Sequence, residues 1–269
     1  MKALLSLLGI VMMTATAYGQ SDSSSKKNVS VSIGKEGVKI SRAEREDVEE
    51  DKRFEVHYGM LDLGINYLQV KTNYSDPAVQ QFLNVSPELR NENLFSLRDA
   101  KSINVNIYPV VASYRLINGK SHRAYLSAGL GLQLYNFRFN KSTTYVNETV
   151  PEVVMDSISF KKNKLAFTFL SVPLMLTFKT RLAEDAWLVY GVGITGGYRV
   201  SSWMKQVSSE RGKQKNHDPF NFKNFNSCVT AEIGVDGYFR LYASYQLTPL
   251  HEDIMTQHPY AIGVRFLGI

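Results

Sequence analysis

The sequence is poor in cysteine and in long apolar runs. Its only cysteine, Cys228, excludes an internal disulfide framework and a cysteine-based zinc site. After the first twenty residues, no stretch approaches the ~18 consecutive apolar residues that a transmembrane helix requires. The hydrolase motifs G-x-S-x-G and H-E-x-x-H do not occur. We therefore expect no metal, no cofactor and no helical membrane span.

The first residues have the three parts of a secretory signal peptide. Lys2 supplies the positive charge, residues 3–13 are mainly apolar, and Ala17 and Gly19 are the small residues of a cleavage site before Gln20. The apolar part is too short for a permanent anchor, and no cysteine follows the cleavage site to carry a lipid. Residues 1–19 are predicted to direct export and to be removed.

Residues 20–52 are polar and are predicted to form a periplasmic linker. Residues 21–27 are rich in Ser and Lys, and residues 44–53 (EREDVEEDKR) are a mixed charge run, so neither stretch has enough apolar surface to fold. Between them, residues 29–33 (VSVSI) and 38–40 (VKI) alternate around the Gly-bounded turn 34–37. This pattern indicates a β-hairpin, which needs a packing partner to be stable in water.

From residue 53 to residue 269, apolar residues recur at every second position in eight successive segments. In the third segment, Leu130 and Leu132 alternate with Gly129 and Gly131. Period-two alternation is the signature of β-strands, and no helical periodicity competes with it. The segments cover residues 59–67, 103–108, 126–134, 171–179, 188–195, 229–236, 239–246 and 260–266.

The connections between these segments are alternately long and short. Short turns are predicted at Asn118-Gly119, at residues 183–185 and at Asp236-Gly237, and long loops after the first segment and around residues 140–163, 205–223 and 249–258. This alternation is typical of bacterial outer-membrane barrels, whose short turns face the periplasm. The predicted fold is all-β: an eight-stranded antiparallel up-and-down transmembrane β-barrel over residues 53–269, in the bacterial outer membrane with both termini periplasmic.

A soluble β-sandwich is the alternative, because alternation alone does not say which face of a strand points outward. The export signal, the loop pattern and the small residues of the second face favour the barrel, since eight strands leave little space inside. Aromatic residues near strand ends are predicted to form the two girdles of a membrane barrel. They are Tyr58, Tyr67, Tyr108, Tyr135, Phe137, Trp187, Tyr198, Trp203 and Tyr260.

One segment carries a family signature. Residues 169–178 (FLSVPLMLTF) resemble the Val-Pro-Leu strand of an outer-membrane β-barrel domain common in Bacteroidetes, the porin-like or PorT family, and residues 190–198 (YGVGITGGY) and 241–248 (LYASYQLT) are similar to its following strands. The resemblance covers roughly residues 54–269 and departs at Leu267-Gly268-Ile269, where many outer-membrane proteins end in an aromatic residue. It implies an outer-membrane barrel. PorT implies protein secretion, a role that membership alone does not transfer.

Charged residues on the polar face of the strands are the candidate site residues. In a barrel they lie inside: Asp62, Arg199, Glu232, Asp236, Arg240 and Arg265. Charges enclosed in a narrow barrel must pair or stay hydrated. The first interpretation is a barrel-interior charge network that holds the strands together, and the second is a narrow gated ion path lined by the same groups.

Two weaker signals point to chemistry. Gly191, Gly193 and Gly196 fit the dinucleotide pattern G-x-G-x-x-G, but they lie within a strand and no helix follows. His217 and His251 fall in predicted extracellular loops beside acidic residues, where a rim hydrolase would place its base. No nucleophile motif accompanies them, so we expect solvated histidines and no enzyme.

The net charge of +6 clusters in residues 161–164 and 205–215, both predicted loops. Solvated loop charge is the first interpretation, and contact with phosphates of the outer-leaflet lipid is the second. The expected partners are outer-membrane lipid and, as candidates, other envelope or secretion proteins. Export excludes nucleic acid, and the sequence names no small-molecule ligand. The predicted function is structural or surface-binding through the loops, and the alternative is a small pore or a PorT-like secretion accessory.

Overall fold

The structure, a computed structural model, describes residues 29–34, 37–42, 53–147, 149–184 and 186–267. The predicted signal peptide lies outside the described residues, as do the Ser/Lys-rich stretch and most of the charge run of the predicted linker. The chain divides into two compact units, Met1–Asp51 and Lys52–Ile269.

The described residues of the first unit form an antiparallel pair of strands. Strand β1 (Val29–Gly34) pairs with β2 (Gly37–Arg42), with Ile33 opposite Val38. The strands coincide with the two alternating runs of the sequence, and β2 continues two residues beyond the second run.

The second unit consists mainly of long antiparallel strands. In chain order its elements are β3 (Phe54–Val70), helix α1 (Pro77–Phe82), β4 (Leu83–Asn84), three short 3-10 helices (Pro87–Leu89, Glu92–Phe95, Asp99–Lys101), β5 (Ile103–Asn118), β6 (His122–Arg138), β7 (Thr143–Asn147), β8 (Pro151–Met155), β9 (Lys162–Arg181), β10 (Trp187–Ser208), β11 (Gly212–His217), β12 (Phe225–Val235), β13 (Arg240–Gln246) and β14 (Gln257–Leu267). Among the described residues, no helix is long and apolar enough to cross a membrane.

The main sheet contains each of the eight predicted segments as a strand. Its order is β11-β10-β12-β13-β14-β3-β5-β6-β9, every pairing is antiparallel, and β9 also pairs with β10 over most of its length. The predicted all-β antiparallel architecture is confirmed. The strands are longer than the segments that reveal them, because the alternation is lost beyond the segments, as in residues 165–170 of β9 (LAFTFL), where both faces carry apolar residues.

The apolar face of the strands is the exposed one. Leu130 and Val192 are 56% and 58% exposed, whereas Gln133 and Thr195 on the opposite face of the same two strands are buried. A soluble sandwich has the reverse arrangement, with its apolar face turned to the core. The face assignment therefore supports an apolar environment around the strands.

Three of the predicted long loops contain strands, since the connection between β3 and β5 includes β4. The region predicted as a loop over residues 205–223 begins with the end of β10, which forms a hairpin with β11, so its first half is wrongly predicted. The region 140–163 contains the β7–β8 hairpin, and the connection between β3 and β5 contains α1, which begins with Asp76 as its N-cap and Pro77. β11 (GKQKNH) contains no apolar side chain, and β7 and β8 are only five residues long, so neither hairpin has the extended apolar alternation of the main strands.

Candidate functional site

Arg265 connects the first and last long strands of the second unit. Its Nε donates to Oδ1 of Asp62 at 2.6 Å, and its Nη2 donates to Oδ2 of the same carboxylate at 2.8 Å. Its Nη1 donates to Oε2 of Glu232 in β12 at 2.9 Å. All three residues are buried. The guanidinium therefore makes a bidentate contact with the Asp62 carboxylate and a single hydrogen bond with the Glu232 carboxylate.

Two further predicted residues extend this arrangement. Arg240 donates from Nη1 to Oε1 of Glu232 at 2.9 Å, and its Nη2 lies 3.7 Å from Oδ1 of Asp236 in the β12–β13 turn. Lys179 of β9, which sequence analysis missed, donates to Oδ2 of Asp236 at 2.6 Å. We name these residues the charge cluster: Asp62, Lys179, Glu232, Asp236, Arg240 and Arg265.

Uncharged side chains complete the carboxylate contacts. Asn106 donates to Oδ2 of Asp62 at 3.1 Å, and Thr177 donates to Oε1 of Glu232 at 3.1 Å. Neither residue is charged, so neither belongs to the charged set predicted from the sequence. A usable signal was present: Asn106 lies directly opposite Asp62 in the β3–β5 register, which the polar alternation of both strands suggests.

Arg199 is the one predicted site residue that lies elsewhere. It immediately precedes the irregularity in the β9–β10 register and contacts the segment that leads into β12. Its guanidinium donates to the carbonyl oxygens of Phe222 (2.9 Å) and Lys223 (3.1 Å) and to Oδ1 of Asn224 (2.8 Å). Arg199 therefore fixes a long loop to β10 and does not join the charge cluster.

A cavity of about 260 Å³ adjoins the charge cluster at the end of the strands where the short turns lie. Glu55 and His57 of β3, Tyr125 of β6 and Tyr238 of the β12–β13 turn contribute to its wall. Side chains of both signs face it, so it suits water or a small polar molecule. Among the described residues, no group of three or more His, Cys, Asp or Glu side chains is arranged to hold a metal ion.

The buried face changes from charged to aromatic toward the long loops. Phe167 of β9 and Phe222 pack edge to face with centroids 4.6 Å apart, and Tyr145 of β7 contacts Phe222 at 5.2 Å. We name the whole set the aromatic core: Val79, Phe82, Leu83, Leu94, Phe95, Tyr135, Phe137, Phe139, Tyr145, Val153, Leu165, Phe167, Phe169, Met204, Phe220, Phe222, Leu250 and Met255. It combines inward-facing strand residues with residues of all four long connections.

His251 lies within this apolar surrounding. Its ring stacks on Tyr145 with an interplanar angle of 14° and contacts Phe222 at 4.6 Å between centroids. The side chain is fully buried, and this burial lowers the pKa of His251 to about 3. The prediction that His251 is solvated is therefore wrong.

The histidines of the rim-hydrolase alternative are in different environments. His217 is exposed on β11 beside Trp203, at 5.7 Å between ring centroids, whereas His251 is enclosed in the aromatic core. The neighbour of His217, Asp218, accepts from Asn147 and from the backbone N–H of Phe220. Among the described residues, the hydroxyl that contacts His251 is that of Tyr145, 3.5 Å from Nε2, and it is buried in the aromatic core, whereas a general base must reach an accessible nucleophile.

Three of the predicted girdle residues face inward. Tyr108, Tyr135 and Phe137 are buried, so their assignment to the girdles is wrong. Tyr135 and Phe137 lie on the same face of β6 as Gln133, and Tyr108 lies on the same face of β5 as Asn106, so period-two spacing places all three inside. Tyr58 and Tyr198 are exposed on the apolar face, 66% and 48% respectively, as a girdle requires.

An antiparallel sheet with an exposed apolar face and a buried polar, charged and aromatic face defines a class of membrane β-proteins. The model of the outer membrane protein beta-barrel domain family matches residues 41–252. The chain belongs to this family and is an outer-membrane protein. The family description mentions neither PorT nor secretion, so that part of the resemblance stays a prediction.

Two solved structures are similar to the chain at low identity. One is Ail, the attachment invasion locus protein of Yersinia pestis, and the other is the same protein in complex with the heparin analogue sucrose octasulfate. Each has 11% identity and a TM-score of 0.28, covering 78% of this chain and 98% of the other. These values carry no functional conclusion. No curated protein matches the chain.

Proposed function

We propose that β3, β5, β6, β9, β10, β12, β13 and β14 form a closed eight-stranded transmembrane barrel that is non-enzymatic and acts through its long loops as a surface-binding or structural module. The pairing of β9 with β10 supports closure, since it leaves each of the eight strands with a neighbour on both sides. Exposed leucine, valine and isoleucine side chains on the outer face support contact with lipid.

The loop lengths support one orientation. The ends of β5, β9 and β12 connect to the next strands through short turns, and the beginning of β3 and the end of β14 lie at the same edge. Short turns face the periplasm in bacterial outer-membrane barrels. We infer that both termini of the barrel are periplasmic and that the connections 71–102, 139–161, 209–224 and 247–256 are extracellular.

The aromatic core is the observation that carries the functional proposal. It fills the extracellular half of the enclosed space with apolar side chains, and an ion that enters such a region loses its hydration without compensation. A permanent pore is therefore disfavoured. The same side chains hold the four long connections in defined positions, which suits presentation of a fixed outer surface to a partner.

A narrow pore is the second candidate, and the charged cavity near the short turns is the observation in its favour. The test is planar-bilayer conductance of the full-length protein and of the double variant Phe167→Ala, Phe222→Ala. We expect no current steps from the wild type, and steps from the variant, because the two truncations open the aromatic core. Equal steps from both proteins would establish a pore and overturn the sealed-barrel proposal.

Orientation is tested with single cysteines in a Cys228→Ala background, labelled on cells by a membrane-impermeant maleimide. Glu210 and Lys120 are both exposed and lie at opposite ends of the strands. We expect Glu210→Cys to react on intact cells and Lys120→Cys to react only after the outer membrane is permeabilised. The reverse pattern would contradict the proposed topology, and labelling of both residues on intact cells would contradict a membrane-spanning barrel.

A further inference from the structure

Four cations lie side by side across four neighbouring strands. The register places Arg138 of β6 opposite Lys164 of β9, Lys164 opposite Lys205 of β10, and Lys205 opposite Lys215 of β11. With strands about 4.8 Å apart, the row is about 15 Å long. We name these four residues the cation row.

The cation row has few compensating groups. Within the described parts of the chain, none of its members lies within 4 Å of a carboxylate oxygen, although Lys164 donates to Oδ1 of Asn136 and Arg138 donates to the carbonyl oxygen of Lys161. Two more lysines, Lys162 and Lys213, lie opposite Val207 in the next row. Like charges directly opposite each other destabilise a sheet, so an external anion is needed to offset the repulsion.

The cation row lies on the outward, apolar side of the sheet. On β6 it follows Leu130, Leu132 and Leu134, which alternate on the same face. Arg138 is four residues beyond Leu134, about 13 Å along a tilted strand. This distance takes the row past the apolar band to the level of lipid headgroups.

The position of Trp203 independently indicates that the cation row lies at the boundary between the hydrocarbon and the lipid headgroups. Its ring lies between the apolar band and the cation row on β10, with Nζ of Lys215 at 4.7 Å and Nζ of Lys164 at 5.9 Å from the centroid. Tryptophan prefers the boundary between hydrocarbon and headgroups, where an apolar body and a polar end are both satisfied. The tryptophan also orders two lysines of the row.

We propose that the cation row binds the phosphate groups of a phosphorylated glycolipid in the outer leaflet. The inference rests on the transmembrane placement in the proposed function. The cation row lies on the outer surface of the strands, next to the apolar band. This position favours a lipid over a soluble polysaccharide, because lipid headgroups surround the strands at this level. Several cations on one line suit a headgroup with more than one phosphate.

Trp203 provides a direct reporter. The chain has two tryptophans, so Trp187→Phe leaves Trp203 as the only indole. This full-length protein is folded in neutral detergent micelles and titrated with diphosphorylated lipid A or with the same glycolipid after removal of its phosphates, and Trp203 fluorescence is followed. We expect saturable binding of the phosphorylated form that weakens as salt is raised.

The test variant is Lys164→Gln, Lys205→Gln, Lys215→Gln in the same background. Each cation near an anionic lipid surface contributes about fivefold, so we expect about 100-fold weaker binding. The matching triple Lys→Arg variant keeps the charge and should bind within about threefold of the parent. The control triple Lys71→Gln, Lys101→Gln, Lys141→Gln removes the same charge from the same end of the barrel and should bind as the parent does.

Several outcomes overturn the inference. One is that the dephosphorylated glycolipid binds as tightly as the phosphorylated one. Another is that the Lys164/Lys205/Lys215 variant binds lipid A with unchanged affinity. A third is that dextran sulfate displaces lipid A as effectively as lipid A itself does, which would indicate a polysaccharide partner. Each protein is first checked for heat-modifiable migration on gels. A parent that migrates as a folded barrel and binds no lipid contradicts only the lipid site, whereas a parent with no folded form contradicts the barrel proposal itself.

Discussion

The guanidinium of Arg265 and the carboxylate of Asp62 form two parallel hydrogen bonds across 203 residues of sequence. They connect β14 to β3, the strands at the two ends of the second unit. Both side chains are almost fully buried. The same guanidinium also contacts Glu232, so one cation compensates two buried carboxylates.

Replacement of Arg265 by alanine should strongly destabilise the protein. The change leaves Asp62 without its cation and Glu232 with Arg240 alone, and the loss of one partner from a buried ion pair costs about 3–5 kcal/mol. Urea unfolding of the protein in micelles measures this loss. Arg211→Ala is the control, because Arg211 is 50% exposed and its pair with Asp156 should contribute less than about 1 kcal/mol. Similar losses in both variants would contradict the structural importance of the charge cluster.

Gly131 should not tolerate a side chain. A Cβ atom there would lie 2.6 Å from Cδ1 of Tyr108 and even closer to the carbonyl oxygen of Ile107. Gly131→Ala forces a backbone or ring shift, and overpacking of this kind costs about 1–3 kcal/mol. Gly196→Ala is the control, since its Cβ would meet nothing within 4 Å on the exposed face of β10. Unfolding temperatures from heat-modifiability gels compare the two, and an equal effect would refute the close contact.

Phe222 should control the protease resistance of the long loops. Its ring contacts Phe167, Tyr145 and His251, so Phe222→Ala removes packing worth about 3–5 kcal/mol in a buried site. Trypsin added to folded protein in micelles should then cleave after Lys223 faster than in the wild type. Phe225→Ala is the control, because Phe225 is 69% exposed on the outer face and does not contact the aromatic core. Equal cleavage of the two variants would show that the core does not hold this loop.

Alternation predicted the eight long strands and divided the residues of each between two faces. Wherever Leu, Val or Ile alternates with Gly, Ser or Thr, as in β6 and β10, the structure has a strand with the apolar residues outward. Alternation is symmetrical between the two faces, so it does not indicate which of them points outward. The loop pattern and the export signal indicated that the apolar face points outward.

Partner choice within the site was not predictable in the same way. A linear pattern assigns a side chain to a face, but strand register decides which neighbour it meets. Arg199 and Arg240 both have the charge and spacing of an inward residue, yet Arg199 lies eight residues beyond Gly191, the residue opposite Glu232, and its guanidinium contacts loop carbonyl oxygens instead. Lys179 lies on the inward face of β9, but its pairing with Asp236 depends on the register of β9, β10 and β12.

The aromatic core had a signal in the sequence that was not used. On β6, the inward face changes along the strand from Gly131 and Gln133 to Tyr135 and Phe137. On β9, it changes from Ser171 to Phe169 and Phe167 toward the same end. Large apolar residues that replace small polar ones on the inner face of two adjacent strands indicate a filled barrel end. The loop residues that complete the core had no such periodicity.

His251 should make the stability of the loops depend on pH. Burial lowers the pKa of His251 to about 3, whereas a histidine in an unfolded chain has a pKa of about 6.5. Between these values the unfolded state binds one proton more than the folded state. Stability therefore increases with pH across this range, is complete above about pH 6.5, and falls by up to about 1.4 kcal/mol for each unit of acidification.

The measurement is the difference in unfolding temperature between pH 7.5 and pH 5.0 for the wild type and for His251→Phe. Phenylalanine retains the stacking on Tyr145, which is nearly parallel to the imidazole, and removes the titrating group. We expect the wild type to lose more stability on acidification than the variant, because the other titrating groups are common to both proteins. An identical pH dependence would mean that His251 is already hydrated in the folded protein, and that the aromatic core around it is open to water.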